Sequence, residues 1–310
     1  MNWSVSSSRV FSQCPKKWYY GSTFATSKTT NQDRKEAYIL KHLDSIHAWR
    51  GKVVDQTISQ FVVPRLNKRE KVTLDDTLAH ALKMIEAQLS FAKAQKHLMF
   101  PKREADFLAL FEMAYGLPLS DEIVNRAVEE VKVSLANLLE GSLMSGISQE
   151  SSLVLSQRPL QLEFAGVNVR CMPDLIVFYR DKPPMIVDWK VEAPRYKEHR
   201  LQLTIYGYAL SRVKPHKDFP EEFRKDGVDA KQIRLLEFQL LRNKEVEYAL
   251  TNEDLTEIED YIFTTSIRMR HVVNGSSRPE QLIDSIPKTR RPTTCLSCNF
   301  RKVCWRTTAS

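Results

Sequence analysis

The sequence lacks several features that would place the protein in a well-known class. No apolar run in its 310 residues approaches the roughly 18 residues that a membrane-spanning helix needs. No G-x-x-x-x-G-K-[ST] loop occurs, so the chain carries no P-loop motor. The N-terminal residues form no continuous apolar stretch, and we therefore expect no secretory signal and a cytoplasmic protein. Internal repeats and low-complexity segments are also absent.

Cysteine is scarce, but four of the five cysteines have an informative spacing. Cys295, Cys298 and Cys304 form a C-x2-C-x5-C pattern, and Cys14 lies near the opposite end of the chain. Reduced thiols in this pattern favour metal ligation over disulfides, and four thiolates hold either zinc or an iron–sulfur cluster. If all four bind one metal centre, they close a loop of nearly the whole chain. By chain entropy alone, this closure would stabilise the folded protein by about 5–6 kcal/mol. We expect the fifth, Cys171, to be a core residue.

The charge balance favours an anionic partner without identifying it. The formal net charge is +8 and the isoelectric point is about 9.1, which suits nucleic acid. Each basic cluster, taken singly, is more typical of a solvated surface than of a DNA track. The clusters are Arg65/Lys68/Arg69/Lys71, Lys93/Lys96/Lys102/Arg103, Arg195/Lys197/Arg200 and Lys288/Arg290/Arg291.

The first 150 residues have mostly helical patterns. Residues 120–140 give the clearest one, with Ser120 as an N-cap and Gly141 at the end. We interpret 66–150 as a helical scaffold without chemistry of its own. The other predicted helical segments are 33–49, 51–62 and 73–116, the last broken at Pro101.

After residue 150 the pattern changes to short β-prone runs followed by alternating helices and strands. This order predicts an α/β architecture with the chemistry on a central sheet. The predicted strands are 152–156, 160–164, 167–179, 184–189, 232–241 and 245–250; the predicted helices are 197–212 and 253–271; and 273–294 is a predicted loop.

Two acids and a lysine carry the strongest chemical signal. Asp188 and Lys190 are two residues apart in a predicted strand, so they face the same side of the sheet. With Asp174 they offer hard oxygen ligands for Mg²⁺ or Mn²⁺ and a cation to steady an attacking water or a phosphate. A D-x-K tripeptide alone is more often an exposed acid and a structural lysine. Gln202 and Tyr206, at i and i+4, share one face of the next predicted helix.

These motifs together resemble a known family. Pro173-Asp174, Asp188-x-Lys190 and Gln202-x3-Tyr206 resemble the PD-(D/E)xK nucleases of the RecB-like branch. The cysteine layout resembles the iron–sulfur members of that branch, the Cas4-like and AddB-like nucleases. The resemblance covers both ends of the chain and 170–210, and it leaves 66–150 unmatched.

The resemblance implies a fold and a domain plan. The expected fold is α/β, a restriction-endonuclease-like central mixed sheet flanked by helices, with a helical N-terminal half and termini pinned by an iron–sulfur cluster. The expected plan is one nuclease domain over 1–310. Within it, 66–150 is an insertion, 151–272 is the catalytic core, and 273–310 is the cluster-binding segment.

The resemblance also implies roles for individual residues. Asp174 and Asp188 correspond to metal ligands, with the Trp189 carbonyl completing the metal shell, and Lys190 corresponds to the catalytic lysine. Gln202 and Tyr206 organise the site or contact DNA.

One departure from the family pattern concerns the early helix. Members often carry a histidine metal ligand in a Gly-x-x-x-His motif, and here Asp55 follows Gly51 at that spacing. Asp55 is therefore either a fourth metal ligand or an acid on a helix surface.

The cysteines are implied to hold a [4Fe–4S] cluster whose role is structural. Its ligands would be Cys14, Cys295, Cys298 and Cys304, with a zinc site as the alternative.

The resulting functional prediction is a metal-dependent DNA nuclease. We expect an exonuclease acting on single-stranded DNA or DNA ends in repair, recombination or CRISPR-type processing, alone or beside a helicase or integrase-like partner. Two alternatives stay open: a catalytically weak iron–sulfur DNA-binding or assembly subunit, and a site-specific restriction-type endonuclease on the same fold.

Overall fold

The computed structural model describes residues 1–98, 104–191, 196–273 and 278–306, without the side chain of Tyr196. Its chain divides into two compact units. Unit 1 comprises Met1–Ser45, Leu89–Pro118 and Tyr261–Ser310, and unit 2 comprises Ile46–Gln88 and Leu119–Asp260. In the part of the chain that the structure describes, no helix is long and apolar enough to cross a membrane.

Helices form most of the regular structure. In chain order they are α1 Val5–Gln13, α2 Pro15–Tyr19, α3 Gln32–Leu40, α4 Ile46–Thr57, α5 Val63–Asn67, α6 Leu74–Lys93, α7 Phe111–Ala114, α8 Asp121–Glu140, α9 Ser142–Glu150, α10 Tyr196–Arg212, α11 Glu221–Asp226, α12 Asn252–Val273, α13 Pro279–Ser285, α14 Pro292–Leu296 and α15 Arg301–Arg306. Single π-helical turns follow α2 and α4, at Tyr20–Phe24 and Ile58–Val62.

The strands are short, and most of them lie between α9 and α12. They are β1 Asn2–Trp3, β2 Ser151–Ser156, β3 Leu160–Phe164, β4 Val167–Cys171, β5 Leu175–Tyr179, β6 Met185–Lys190, β7 Arg234–Gln239 and β8 Lys244–Tyr248.

Unit 2 is built on a five-stranded mixed sheet of order β2-β5-β6-β7-β8. The pair β6–β7 is parallel and the other neighbouring pairs are antiparallel. Strands β5 and β6 are apolar runs buried on both faces, as expected for central strands. Helix α10 connects β6 towards β7 and packs against both, while α5 and α9 contact β2. The predicted mixed sheet flanked by helices is confirmed.

Helix α8 forms where the sequence predicts it, for the predicted reasons. The Ser120 hydroxyl accepts a hydrogen bond from the amide of Ile123 at 3.4 Å, and Gly141 follows the last helical residue. Its apolar residues at steps of three and four, such as Val131, Leu135 and Leu138, are fully buried.

The predicted helix over 33–49 is interrupted. Helix α3 ends at Leu40 and α4 begins at Ile46 because the backbone of Asp44 bonds elsewhere within unit 1. Its amide donates to the carbonyl of Ala109 at 2.8 Å, and its carbonyl accepts from the amide of Phe111 at 2.8 Å. A tertiary pairing over 65 residues thus overrides a continuous helical pattern.

The predicted strand over 167–179 is two strands, β4 and β5. The break contains Pro173, which has no amide hydrogen to donate to a ladder. Asp174 follows directly and begins the path into β5. The break therefore leaves this acidic side chain outside regular strand pairing.

Two other predicted boundaries are wrong. The expected loop over 273–294 contains α13 and the start of α14, because Pro279 and Pro292 begin helices, at a position where a missing amide hydrogen costs nothing. The expected helix over 73–116 ends at Lys93, and 104–110 is not helical. Pro101 and residues 274–277 lie outside the described residues.

Unit 1 joins residues from the beginning and the end of the chain. The Trp3 indole donates to the Thr265 hydroxyl at 2.9 Å, and Tyr20 stacks on Phe300 with ring centroids 5.2 Å apart. The amide of Lys16 donates to the carbonyl of Pro287 at 3.1 Å. These contacts hold the terminal segments together independently of any bound group.

One buried arginine connects three elements of unit 2. Arg50 of α4 donates from Nη2 to the carbonyl of Val191 at 2.6 Å and pairs through Nη1 with Glu130 of α8. Val191 is the residue after β6. Arg50 therefore ties α4 and α8 to the end of the strand that carries Asp188 and Lys190.

We expect Arg50→Met to lower the free energy of unfolding by about 2–4 kcal/mol, because it leaves a buried carbonyl and a half-buried carboxylate unpaired. Urea unfolding measures this change. The matched control is Arg126→Met, whose exposed pair with Glu122 should cost below about 1 kcal/mol. If both substitutions lowered the free energy of unfolding equally, the proposed stabilising role of Arg50 would be wrong.

Candidate functional site

The sheet and one strand break place the two central acids together. Asp188 lies on β6 and is fully buried, and Asp174 stands at the break before β5. The Asp174 Oδ2 accepts a hydrogen bond from the backbone amide of Trp189 at 3.0 Å. This hydrogen bond anchors the Asp174 carboxylate to the residue that follows Asp188 in β6, so the two acids lie close together.

Lys190 and helix α10 contact the two oxygens of Asp188. The Lys190 ammonium pairs with Oδ2, as expected for residues two apart in a strand. Gln202 donates from Nε2 to Oδ1 at 3.1 Å and to the Tyr206 hydroxyl at 2.8 Å. Gln202 and Tyr206 thus share the face of α10 that packs on the sheet.

Asp55 of α4 belongs to the same cluster. Burial has the largest effect on the pKa of the Asp55 carboxyl and raises it, while Asp188 raises it further and Lys190 lowers it. The Asp55 Oδ2 accepts a hydrogen bond from the side-chain amide of Gln157. Its Oδ1 is buried and has no hydrogen bond among the described residues. The surface alternative for Asp55 does not describe this side chain, which is half-buried against the site.

Burial and like charge shift the proton affinities of the cluster. Burial raises the pKa of Asp174 well above its ordinary value, Asp188 raises it further, Lys190 lowers it, and Asp55 raises it. Burial raises the pKa of Asp55 to about 6, against the lowering influence of the Trp189 indole and the Gln157 amide. Burial likewise raises the pKa of Tyr206 well above its usual range. Ionising all three acids here is costly without a further cation.

The chemistry of the donors fits a hard divalent cation. Carboxylate oxygens are the preferred ligands of Mg²⁺ and Mn²⁺, and the buried Oδ1 of Asp55 lacks a partner that such an ion would supply. Nevertheless, no group of three His, Cys, Asp or Glu side chains converges on one ion position in the described part of the chain. The oxygens are held instead by Lys190, Gln202, Trp189 and Gln157. Metal entry therefore requires some of these contacts to change.

Several polar residues next to the acids belong to no sequence motif. Glu237 and Gln239 of β7 lie beside Asp188 and Lys190 in the sheet, and His199 of α10 contacts Glu237. The one available signal was the helical spacing of His199, three residues before Gln202. Strand register, which no motif encodes, brings in the other two.

The cysteines of the terminal pattern share a second site, in unit 1. They line one cavity of about 30 Å³, with Lys17, Tyr20, Phe300 and Trp305 among its other walls. Two backbone amides, of Lys17 and Thr289, donate to the sulfur of Cys14, each at 3.4 Å. Four cysteines contribute to this pocket: Cys14, Cys295, Cys298 and Cys304.

The thiols of this cysteine pocket influence each other across it. Burial raises the pKa of Cys298 to about 11, a backbone hydrogen bond from Phe300 lowers it, and Cys14 and Cys304 raise it. Among the described residues, none of the four forms a disulfide. Cys171 is elsewhere, buried in β4 of unit 2, where burial raises its pKa to about 12. Its predicted place in the core is confirmed.

Several predicted basic clusters have structural partners. Arg65 lies over the Phe61 ring at 3.6 Å, and Arg69 donates to the carbonyls of Ser148 and Ser151. Arg200 pairs with Asp254 at 2.6 Å. Lys102, Arg103 and Arg195 lie outside the described residues.

We expect the stability of the metal-free protein to fall as pH rises through about 6, because Asp55 binds its proton more tightly folded than unfolded. The contribution of Asp55 to the free energy of unfolding is complete below about pH 4, near the pKa of an aspartate in the unfolded chain. It is lost once the pH exceeds the pKa of Asp55 in the folded protein. Because the pKa of Asp174 is raised as well, Asp55→Asn should reduce this slope without abolishing it, and its free energy of unfolding should exceed that of the wild type by about 1–3 kcal/mol near neutral pH. Urea unfolding in EDTA across this range measures it. Asp181→Asn, at an exposed acid, is the control, and an unchanged slope in Asp55→Asn would contradict the assignment.

Comparison with known proteins agrees with the geometry. A family model for the PD-(D/E)XK nuclease superfamily matches residues 2–305. No curated protein matches the chain. Among solved structures, a protein from Eubacterium rectale designated "Putative exonuclease" is 12% identical, with a TM-score of 0.34, over 82% of this chain and 89% of that one. The protein SSO0001 is 11% identical, with a TM-score of 0.31, over 82% of this chain and 94% of its own. These TM-scores are too low to support further inference. Because the family model spans nearly the whole sequence, the chain belongs to the PD-(D/E)XK nuclease superfamily.

Proposed function

We propose that the protein is a metal-dependent DNA nuclease that hydrolyses phosphodiester bonds as an exonuclease on single-stranded DNA or DNA ends. The observation that carries this proposal is the convergence of Asp174, Asp188 and Lys190 at one end of β6, with Gln202 and Tyr206 of α10 behind them. Acids that can hold a divalent cation, beside a lysine that can offset developing charge, suit phosphodiester hydrolysis.

The cation-binding roles fall to the acids. Asp174 and Asp188 would hold Mg²⁺ or Mn²⁺, with Asp55 in place of the family's histidine and the Trp189 carbonyl as a further ligand. When bound, such an ion stabilises negative charge on the phosphate and lowers the pKa of a coordinated water. Its charge would offset the burial and the neighbouring acids that together raise the pKa values of Asp174 and Asp55.

The remaining residues act by position and charge. Lys190, released from Asp188, orients the attacking water and offsets charge that develops on the scissile phosphate. Gln202 holds one Asp188 oxygen and the Tyr206 hydroxyl, so it fixes the carboxylate plane. Since the side chain of Asp188 is fully buried, this orientation is retained without competition from water.

Support for a nucleic-acid substrate comes from charge and from a groove in unit 1. The net charge is +8, and a groove of about 520 Å³ is lined by Lys17, Lys41 and His42 together with the hydroxyl groups of serines. Cations and hydroxyl donors are the groups that contact phosphates. The Trp18 ring also lines the groove, but it is buried and packs edge-on against Phe11, which favours a role in the core.

The domain plan follows from this function. We propose that 151–272 forms the catalytic core, 66–150 a helical insertion and 273–310 the cluster-binding segment of one nuclease domain. The protein would act alone or beside a helicase or integrase-like partner, and it contains no P-loop motor of its own.

The cysteine pocket is proposed to hold a [4Fe–4S] cluster through Cys14, Cys295, Cys298 and Cys304. Support comes from the shared cavity and from the amide groups that point at sulfur, since such hydrogen bonds stabilise clusters. Lys17 and Lys288 near the thiols offset thiolate charge. Its role is structural, and zinc remains the alternative occupant.

Asp188→Ala should lower nuclease activity by about 1,000-fold or more, because it removes a cation ligand and the partner of Lys190. The assay uses anaerobically purified protein on end-labelled single- and double-stranded DNA, with Mg²⁺, Mn²⁺ or EDTA. Asp181→Ala should retain activity. Cleavage that persists in EDTA or in Asp188→Ala would overturn the site. A folded wild type that binds DNA without cleaving it would favour the assembly-subunit alternative.

Anaerobic protein should contain about four iron and four sulfide per chain. Cys14→Ala should lose most of both and unfold at lower urea, because the terminal loop is no longer closed. Cys171→Ala, at a cysteine outside the pocket, should retain the iron. If the protein contained one zinc per chain and no sulfide, the site would be a zinc site and not an iron–sulfur cluster. If Cys14→Ala retained its iron, Cys14 would not be a ligand.

A further inference from the structure

A second row of polar residues runs alongside the proposed catalytic residues. In the parallel pairing of β6 and β7, Asp188 is opposite Glu237 and Lys190 is opposite Gln239. Opposite residues of neighbouring strands point to the same face of a sheet. Contacts from α10 confirm the shared face, because Gln202 reaches Asp188 and His199 reaches Glu237.

Glu237 is a fully buried carboxylate with all its partners supplied by protein. Its Oε1 accepts from His199 Nδ1 at 3.0 Å and from Gln239 Nε2 at 2.9 Å, and its Oε2 accepts from the Tyr248 hydroxyl at 2.8 Å. Burial raises its pKa, but these hydrogen bonds outweigh burial, so the net shift is downward. Glu237 is therefore an ionised acceptor.

The charge of Glu237 fixes the orientation of the Gln239 side chain. A carboxylate only accepts hydrogen bonds, so the amide nitrogen of Gln239 must face it and the carbonyl oxygen must face away. That oxygen, Oε1, is buried and has no hydrogen bond among the described residues. A buried carbonyl without a donor is unfavourable, and such groups in native proteins call for an explanation.

We infer that Gln239 is a positioning residue whose Oε1 receives the Lys190 ammonium when a metal ion takes Asp188. Without metal, Lys190 pairs with Asp188 Oδ2, so an incoming cation must displace it. Gln239 lies directly opposite Lys190 on the next strand and on the same face, and thus supplies an acceptor. The inference rests on the proposed function.

The same arrangement sets the position of Lys190 during the reaction. An ammonium held by a neutral carbonyl keeps its charge available to a phosphate, whereas one paired with a carboxylate does not. Glu237, with its donors His199 and Tyr248, acts on Lys190 only through the orientation of Gln239. This series of hydrogen bonds connects β8 and α10 to Lys190 through Gln239.

The test measures Mn²⁺ binding by calorimetry, without DNA, in Gln239→Leu. Leucine has a similar volume and no acceptor, so Lys190 stays on Asp188 and Mn²⁺ should bind about tenfold more weakly. The melting temperature of the metal-free variant should be equal to or above that of the wild type, because an unpartnered carbonyl is removed. In the nuclease assay, kcat should fall while KM for DNA is unchanged.

A double-mutant cycle identifies the partner. In a Lys190→Met background no ammonium competes for Asp188, so adding Gln239→Leu should leave Mn²⁺ affinity unchanged. Glu237→Gln should weaken Mn²⁺ binding partly, because a neutral neighbour permits either amide orientation of Gln239.

Three results would overturn the inference. They are unchanged Mn²⁺ affinity in Gln239→Leu, the same loss of affinity with and without Lys190, and a metal-free melting temperature well below the wild type. If Gln239→Leu misfolds, Gln239→Met provides the same removal of the acceptor. Failure of the proposed function looks different, because Mn²⁺ would then bind equally well to the wild type and to Asp188→Ala.

Discussion

Asp188 is the constraint on which the site depends. Its carboxylate has no exposed surface and lies in a central strand, where an unpaired charge is unfavourable by several kcal/mol or more. Lys190, two residues along the same strand, and Gln202, on the helix above, supply its partners. Because Asp174 and Asp55 add further negative charge within the same buried region, one lysine does not balance the cluster. The excess acid is the physical reason that the site is suited to a cation.

The two buried acids of the sheet show how environment separates their roles. Glu237 accepts three hydrogen bonds from protein groups, so its charge is satisfied within the protein. Asp188 shares its oxygens with Lys190 and an amide, which are partners that can be exchanged. Adjacent positions on parallel strands thus hold one acid with three protein donors and one acid whose partners can be exchanged. Gln239 lies between these roles, because it is oriented by the first acid and is opposite the lysine of the second.

The sequence predicted the elements that depend on local patterns. Helix α8 could be located from its cap and its apolar spacing, and the contact between Asp188 and Lys190 from their separation of two residues in one strand. The break between β4 and β5 was also encoded locally, in Pro173, but the apolar residues around it favoured one long strand. The interruption at Asp44 could not be predicted, because it depends on backbone hydrogen bonds to residues 109–111.

Strand register explains what motif reasoning missed at the site. Glu237 and Gln239 carry no recognisable spacing to Asp188 and Lys190, since about fifty residues separate the two strands in the chain. Only the parallel pairing of β6 and β7 makes them neighbours. Residues of one strand or one helix were found from sequence, while those that depend on pairing between strands were not.

The cysteine pocket lies in unit 1, whose residues come from distant parts of the sequence. This unit is assembled from three separate stretches of chain, so its folding must close two loops, over residues 46–88 and 119–260. The entropic cost of closing a loop grows only slowly with loop length. Contacts within unit 1 must nevertheless offset that cost, and this unit has few long helices or strands. The hydrogen bond from Trp3 to Thr265 and the stacking of Tyr20 on Phe300 each contribute on the order of 1 kcal/mol. A bound group held by cysteines from both ends would contribute several times as much, because it restricts the unfolded chain as well. A cross-link between Cys14 and the three cysteines near the other end of the chain would therefore close a long loop in this unit.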